Sequence, residues 1–449
     1  MSYNRGMTPN ESHLEDSAAS PAELVNVAPA AAPRLRCAER DHLIPAMRLD
    51  ELLTADHQAR VVWQFVQGVD LTALYASIRA VEGGPGRPAI DPRILVALWL
   101  YATLEGVGSA RALDYLCTAH HAFRWLCGGV SVNYHTLADF RVAHLAVVDA
   151  LLTHSVATLR EQDLVDLNRV AQDGMRVRAS AGAASFRRRP SLDRCLQEAQ
   201  EQVQRLRTEL TVAPGHRTRR QAQAQQRAAR EREERVKQAL ARLPELAAKK
   251  KATEQDQARS STTDAAATVM KMADGGFRPA YNVEFSTDTA TQIIVGVDVI
   301  TAGSDQGQLP PMLAQIHERF AQYPRAALVD GGFVKHADFD TVSAPDKACT
   351  VYAPVPKPKD DAQDRYALRP TDSAAVAAWR QRMATPAAQA IYKERAATAE
   401  CVNALARNRG LRQVLVRGVA KVKAFVLWYA VAHNVARALS LRASLALQG

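Results

Sequence analysis

The sequence predicts an α/β core, preceded by an all-helical region and interrupted by an inserted helical hairpin. Three observations carry this. Hydrophobic residues recur at helical spacing through residues 38–160, around the apolar run Ile94-Leu-Val-Ala-Leu-Trp-Leu-Tyr-Ala. Residues 165–180 and 277–300 switch to the period-two alternation of strands. Between these, Leu192, Leu196, Ala199, Val203, Leu206 and Leu210 are spaced 4, 3, 4, 3 and 4 apart, the heptad seam of a coiled-coil-like arm.

The elements follow in order. Residues 1–37 end in an Ala/Pro-rich stretch and read as a disordered N-terminus. In the helical region, 38–160, Asp91-Pro-Arg opens a buried helix, Phe123-Arg-Trp-Leu-Cys-Gly-Gly ends one at a glycine pair, and Tyr134-His-Thr-Leu begins another. Gly83-Gly-Pro-Gly-Arg-Pro is a loop, and it lacks the Lys-Ser/Thr of a phosphate-binding loop. Arg93, Arg111, Arg124 and Arg141 are assigned mainly to packing, since no helix-turn-helix signature surrounds them. Residues 161–190 supply the first core strand. The insert spans 191–258: Pro214-Gly215 breaks the seam, and a second arm runs from about residue 218 to 251. It suits a solvated spacer as well as a DNA-contacting arm. Residues 259–449 complete the core with a hairpin (280–286 and 292–300), a helix from Ser304 through Phe320, buried strands at 326–329 and 349–354, and helices to the end. That order resembles an interrupted RNase H-like fold.

Charge points to a polyanion. The 449-residue chain carries a net charge of +10. Residues 181–260 hold 19 Lys/Arg against 10 Asp/Glu, residues 392–449 hold 10 against 2, and the remainder is slightly acidic. Six cysteines show no Cys-x-x-Cys pair and read as reduced thiols of a cytoplasmic protein. The longest apolar runs, 94–102 and 424–432, are too short to span a bilayer, so no membrane partner is expected. His120-His121 lacks helix-face metal spacing. Neither a Gly-x-Ser-x-Gly elbow nor a dinucleotide fingerprint appears, and no small-molecule substrate is expected.

Three acids stand out. Asp173 sits inside an alternating strand, where aspartate is disfavoured, although it also suits a turn before Gly174. Asp330 ends the apolar run Ala326-Ala-Leu-Val, where open α/β sheets place ligands, although it also suits a helix cap. Asp298 and Asp305 compete with it, one on a strand's solvent side and one at a helix start; Asp264 and Asp274 lie in polar loop sequence. Glu400 shares a helical stripe with Asn403 and Arg407, whereas Glu394 reads as a surface acid between Lys393 and Arg395. Two strand carboxylates and one helix carboxylate suit a pair of magnesium ions acting on a phosphodiester.

Several segments together resemble a known family. They include Gly86-Arg-Pro-Ala-Ile-Asp-Pro-Arg, Gln172-Asp-Gly-Met-Arg-Val-Arg-Ala, Gly303-Ser-Asp-Gln-Gly-Gln, Val329-Asp-Gly-Gly-Phe and Tyr392-Lys-Glu-Arg. From about residue 38 to 440 the chain resembles bacterial insertion-sequence transposases of the DDE class, close to the IS-eleven-eighty-two group. The resemblance implies an RNase H-like core with Asp173, Asp330 and Glu400 as metal-binding catalytic acids, and two Mg²⁺ (or Mn²⁺) ions. It also implies DNA cleavage and strand transfer at inverted-repeat ends by a DNA-bound homodimer. Tyr392, Arg395, Arg407, Arg409, Arg412 and Arg417 would meet the DNA. Two departures stand out. Related chains place three residues between the arginine and the glutamate, whereas four separate Arg395 from Glu400; a threonine usual after Asp-Gly is Met175 here.

Overall fold

Asp91 accepts a hydrogen bond from the Arg93 amide and Pro92 occupies the first turn, so α3 (Pro92–Leu104) starts where the sequence places it. The computed structural model describes residues 48–79, 88–212, 219–358, 360 and 362–446. The expected disordered N-terminus, the 83–88 loop up to Arg87 and the Pro214-Gly215 break lie outside these residues. Around α3 gather α1 (Gln58–Gly68), α2 (Thr72–Ala76), α4 (Ala110–Ala119), α5 (His121–Cys127), α6 (Tyr134–Ala143) and α7 (Leu145–Glu161). α3 is apolar on every side and buried almost throughout, as a central helix must be. Gly128 closes α5 in the left-handed conformation, φ 58°. Arg141 is buried over the Trp99 and Phe425 rings and donates to the Gly108 carbonyl; burial lowers its pKa to about 10.

The sheet is mixed. Its central strand, β1 (Arg169–Arg178), pairs antiparallel with β5 (Phe277–Asp288) on one side and parallel with β7 (Ala326–Leu328) on the other. β8 (Thr350–Tyr352) continues parallel beyond β7. The far edge of β5 carries β6 (Ile294–Ile300) and, at its start, β4 (Thr268–Lys271), both antiparallel. β4 was not anticipated from the sequence. The helix expected from Ser304 starts later, as α10 (Leu309–Phe320), so Asp305 lies ahead of it and is no helix-terminal charge.

Between β1 and β4 stand α8 (Arg189–Val212) and α9 (Arg219–Ala248). They run antiparallel: Leu192 packs with Ala239 and Leu243, while Arg232 reaches Glu198 and Gln202. Seam residues Leu192, Ala199 and Val203 are buried, as are Ala222, Ala229 and Val236 opposite. At the base, β2 (Phe186–Arg187) pairs with β3 (Ser260–Ser261). The arm thus leaves and rejoins the core at adjacent points.

The chain closes with α11 (His336–Val342), α12 (Ala374–Met383), α13 (Pro386–Arg395), a π-helical turn (Ala396–Glu400), α14 (Cys401–Asn408) and α15 (Val419–Ala446). α15 packs on α3, α6, α7 and β6, joining the helical region to the sheet. The sequence shows only a short apolar run here, yet residues 419–444 form a helix long and apolar enough to cross a bilayer. Two-thirds (67%) of its most apolar 18-residue stretch is buried inside the fold. Trp428 donates to the Arg141 carbonyl, and Asn434 bonds both the amide and the carbonyl of Ile294. α15 is a core helix.

Candidate active site

β7 covers β1 only through Ala171, so the next residues of β1 are open on that side. Asp173 lies just past this boundary, on the same strand face as Ala171. Ala171, Leu328 and Ala399 form a small apolar cluster that seats the π turn against the sheet. Asp173 accepts from Arg395 Nη2 at 2.9 Å and Asn403 Nδ2 at 2.8 Å. Burial raises its pKa; Arg395 opposes the rise, and the Asp330 charge adds to it.

Asp330 follows β7 and accepts from the Gly332 amide at 2.8 Å, capping the short turn Gly331–Phe333. Asp330 therefore makes the cap that the sequence also allowed for it. Its Oδ2 lies 3.9 Å from Arg395 Nη2. Glu400 Oε1 lies 2.7 Å from Arg395 Nη1. One guanidinium thus touches all three carboxylates, which are 157 and 70 residues apart in sequence. Arg395 is itself buried; desolvation disfavours its charge, but Asp173, Tyr392, Asp330 and Glu400 together hold its pKa above the usual arginine value.

The π turn accounts for the spacing between Arg395 and Glu400. An α-helix brings residues i and i+4 together, whereas i→i+5 closure brings i+5 over i. Residues 396–400 close that way, so the extra residue is absorbed and Glu400 returns to the Arg395 side. Gln292 Nε2 donates to the Ala397 carbonyl at 2.7 Å, and Thr398 Oγ1 donates to the Glu394 carbonyl at 2.9 Å, which fix the turn. Glu394 faces elsewhere. It accepts twice from Arg169 Nη1 at 2.6 Å, a partner the sequence did not suggest.

The opposite face of β1 carries a cluster that sequence reasoning missed. Glu284, fully buried, accepts from Asn282 at 2.8 Å and from Gln172 at 3.3 Å. Asn282 also donates to Asp305, which pairs with Arg176 at 3.1 Å. Burial, then the adjacent Asp305 carboxylate, push the Glu284 pKa well up. A Cβ on Gly174 would sit 2.5 Å from Asp305, 2.8 Å from Glu284 and 2.9 Å from Asn282, so a larger residue would have to displace these buried polar side chains. Asp305 also flanks Gly332, across from Asp330. The available signal was alternation: Asn282 and Glu284 share one face of a strand.

The other acids have structural partners. Asp298 pairs with Lys423 at 3.1 Å. Asp264 is buried, not in an open loop, and accepts from the Tyr281 hydroxyl at 2.7 Å and the Gly418 amide at 3.2 Å. Asp274 pairs with Arg278 in the β4–β5 turn.

The expected DNA-contacting residues divide. Arg395 is engaged with the acids and is not a free surface cation. Tyr392 is half-buried beside it; burial and the three carboxylates raise its pKa, and Arg395 opposes them. Arg409 turns inward toward Tyr429, with Nη1 buried, because the 409–411 segment packs on Gly106. Arg407, Arg412 and Arg417 are exposed. Arg407 and Arg412 line a cleft of about 690 Å³ that opens beside Gly174 and also holds Arg176, Arg178, Lys271 and Arg278.

Three hard carboxylates facing one guanidinium leave a net negative centre, with Asp330 40% and Glu400 56% exposed. That donor set fits a hard divalent cation. In the present arrangement the guanidinium stands among the acids, and no group of three His, Cys, Asp or Glu among the described residues closes to ion-holding geometry.

Two family models match the chain. One, described as a Transposase domain, covers residues 47–143, the helical region from its start through α6. The other, described as a Transposase DDE domain, covers residues 346–439, which include Arg395, the π turn, Glu400 and Asn403. Neither a curated protein nor a solved structure matches.

Proposed function

We propose, from the premise that this chain is a DDE transposase of the insertion-sequence kind, that Asp173, Asp330 and Glu400 are its catalytic acids. DNA transposition is the activity its two domains carry. The observation that supports the assignment is the single guanidinium of Arg395 bonded or close to all three carboxylates. The sheet order β6-β5-β1-β7-β8, with only β5 antiparallel to the rest, favours an RNase H-like core. So does the placing of acids on the central strand and at the end of its parallel neighbour.

The chemistry is strand cleavage followed by strand transfer at the element's ends. Two divalent ions, Mg²⁺ or Mn²⁺, held by the three acids would polarise the phosphodiester and activate a water or a 3′-hydroxyl. The chain's own residues prepare that centre. Asn403 and Arg395 each hold one oxygen of Asp173, fixing its rotamer. Gly174 lets the strand pass the buried acids behind it. Arg395 keeps the carboxylates together against their mutual repulsion, which makes it a positioning residue. Tyr392, Arg407, Arg412 and Arg417 are the DNA contacts, and joining two ends calls for a DNA-bound dimer.

The test is Mg²⁺-dependent nicking and joining of a labelled transposon end by Glu400→Gln and Glu394→Gln, beside DNA-binding measurements. Glu400→Gln should lower nicking on the order of a hundredfold or more with binding retained. Glu394→Gln should leave nicking within a few-fold. The reverse pattern sinks the assignment of Glu400. Nicking without joining by the wild type would identify a nuclease instead.

A further inference from the structure

The turn that returns Glu400 to Arg395 leans on a residue from another element. A π turn carries one residue more than an α-helical turn, so its carbonyls are drawn away from their usual amides and call for other donors. In the 396–400 turn the Ala397 carbonyl takes a bond from outside the helix, from Gln292 Nε2 at 2.7 Å. Gln292 lies between β5 and β6, 105 residues away in sequence.

The loop that carries Gln292 is held from two sides. Asp288, at the end of β5, accepts from the Thr291 amide at 2.9 Å and hydroxyl at 2.6 Å, and its own carbonyl accepts from the Gln292 amide at 2.9 Å. α15 grips the loop backbone from the other side. His433 Nε2 donates to the Gln292 carbonyl at 2.9 Å, Arg437 Nε donates to that of Thr291 at 2.7 Å, and Asn434 bonds both backbone groups of Ile294. Gln292 itself stands in the left-handed region, φ 61°, which glycine and asparagine enter more readily than glutamine. Backbone strain kept at one residue of a turn points to a use for its side chain. Asparagine would suit that backbone better and carries the same amide, but it is one methylene shorter. What glutamine adds is reach.

We propose that Gln292 is a positioning residue for strand cleavage: its amide holds the π turn in the register that keeps Glu400 on Arg395. The inference rests on Glu400 being a catalytic acid, and it extends the centre to a side chain on the β5–β6 hairpin.

The experiment compares Gln292→Asn and Gln292→Lys with the wild type, all as full chains. Nicking of a labelled transposon end in Mg²⁺ gives kcat and KM, thermal melting gives stability, and hydrogen exchange read by mass spectrometry follows residues 395–402. Gln292→Asn should melt at or above the wild-type temperature, because asparagine suits the left-handed backbone. It should nevertheless lose about tenfold or more in kcat at unchanged KM, since a small misplacement of a catalytic group is costly. Its hydrogen exchange should quicken over 395–402 and not in the strands. Gln292→Lys restores a long donor toward the Ala397 carbonyl and should nick within a few-fold of the wild type. Wild-type kcat or wild-type exchange in Gln292→Asn overturns the proposal. So does a fall in kcat that comes with a lower melting temperature and faster exchange throughout the sheet, or a Gln292→Lys chain as slow as Gln292→Asn. Normal nicking by Glu400→Gln would instead remove the assignment on which the proposal rests, whatever Gln292 does.

Discussion

Arg395, from α13, and Glu284, on β5, lie against opposite faces of the sheet and show how differently buried charge can be handled. Arg395 gathers three acids that the sequence identifies singly but cannot bring together, because only the fold closes the 222 residues from Asp173 to Arg395. The family resemblance implied a DNA contact at Arg395; its side chain is buried and turned toward the acids. Glu284 forms no ion pair among the described residues, and it lies beside Asp305. Its folded pKa is raised above the ordinary 4.5. The native state therefore keeps a proton that the unfolded chain releases, so Glu284's contribution to stability is full below the ordinary value and is lost as pH climbs to the folded one. Glu284→Gln keeps the shape and the donor toward Asp305 without that decline. Its melting temperature should exceed that of the wild type at pH 8, by a margin that shrinks toward pH 5. A margin independent of pH would show that Glu284 titrates normally.

At the scale of elements, the long periodic helices, the alternating strands and the short apolar strands β7 and β8 were legible, whereas β2, β3 and β4 were not. β4 has four residues, and β2 and β3 two each, too few to display alternation. The π turn left one trace, the extra residue between Arg395 and Glu400. Inserting a further alanine after Ala396 should swing Glu400 about 100° around the helix and cut nicking on the order of a hundredfold, with DNA binding retained. Removing Ala396 instead leaves an i,i+4 pair that an ordinary α-helix can make, so nicking should stay within about tenfold. Equal activity of the two variants would show that the turn does not aim Glu400. The two-helix arm makes a separate prediction. Arg187 pairs with Ser260, so the strand ends flanking the arm already lie side by side. Replacing residues 188–259 by a short glycine-rich turn should give soluble protein that still melts cooperatively, within about 3 kcal/mol of the intact chain. Loss of folded protein would show that Arg242, which bonds Ala265 and Thr268, ties the arm into the core.

Over the whole molecule, the last helix is the joint. α15 fills the space between the first helices and the sheet, with Val426, Leu427, Ala430 and Val431 fully buried. A chain ending before Val419 should lose its cooperative melting transition altogether, measured by calorimetry; a sharp transition in that truncated chain would show that the two halves are stable alone. The same arrangement has a consequence during protein synthesis. A ribosome releases Asp173 first, Asp330 later, and Arg395, Glu400 and α15 last. A product that stops before Arg395 holds Asp173 and Asp330 without the side chain that gathers them, so the acid cluster closes only after this later segment has been made.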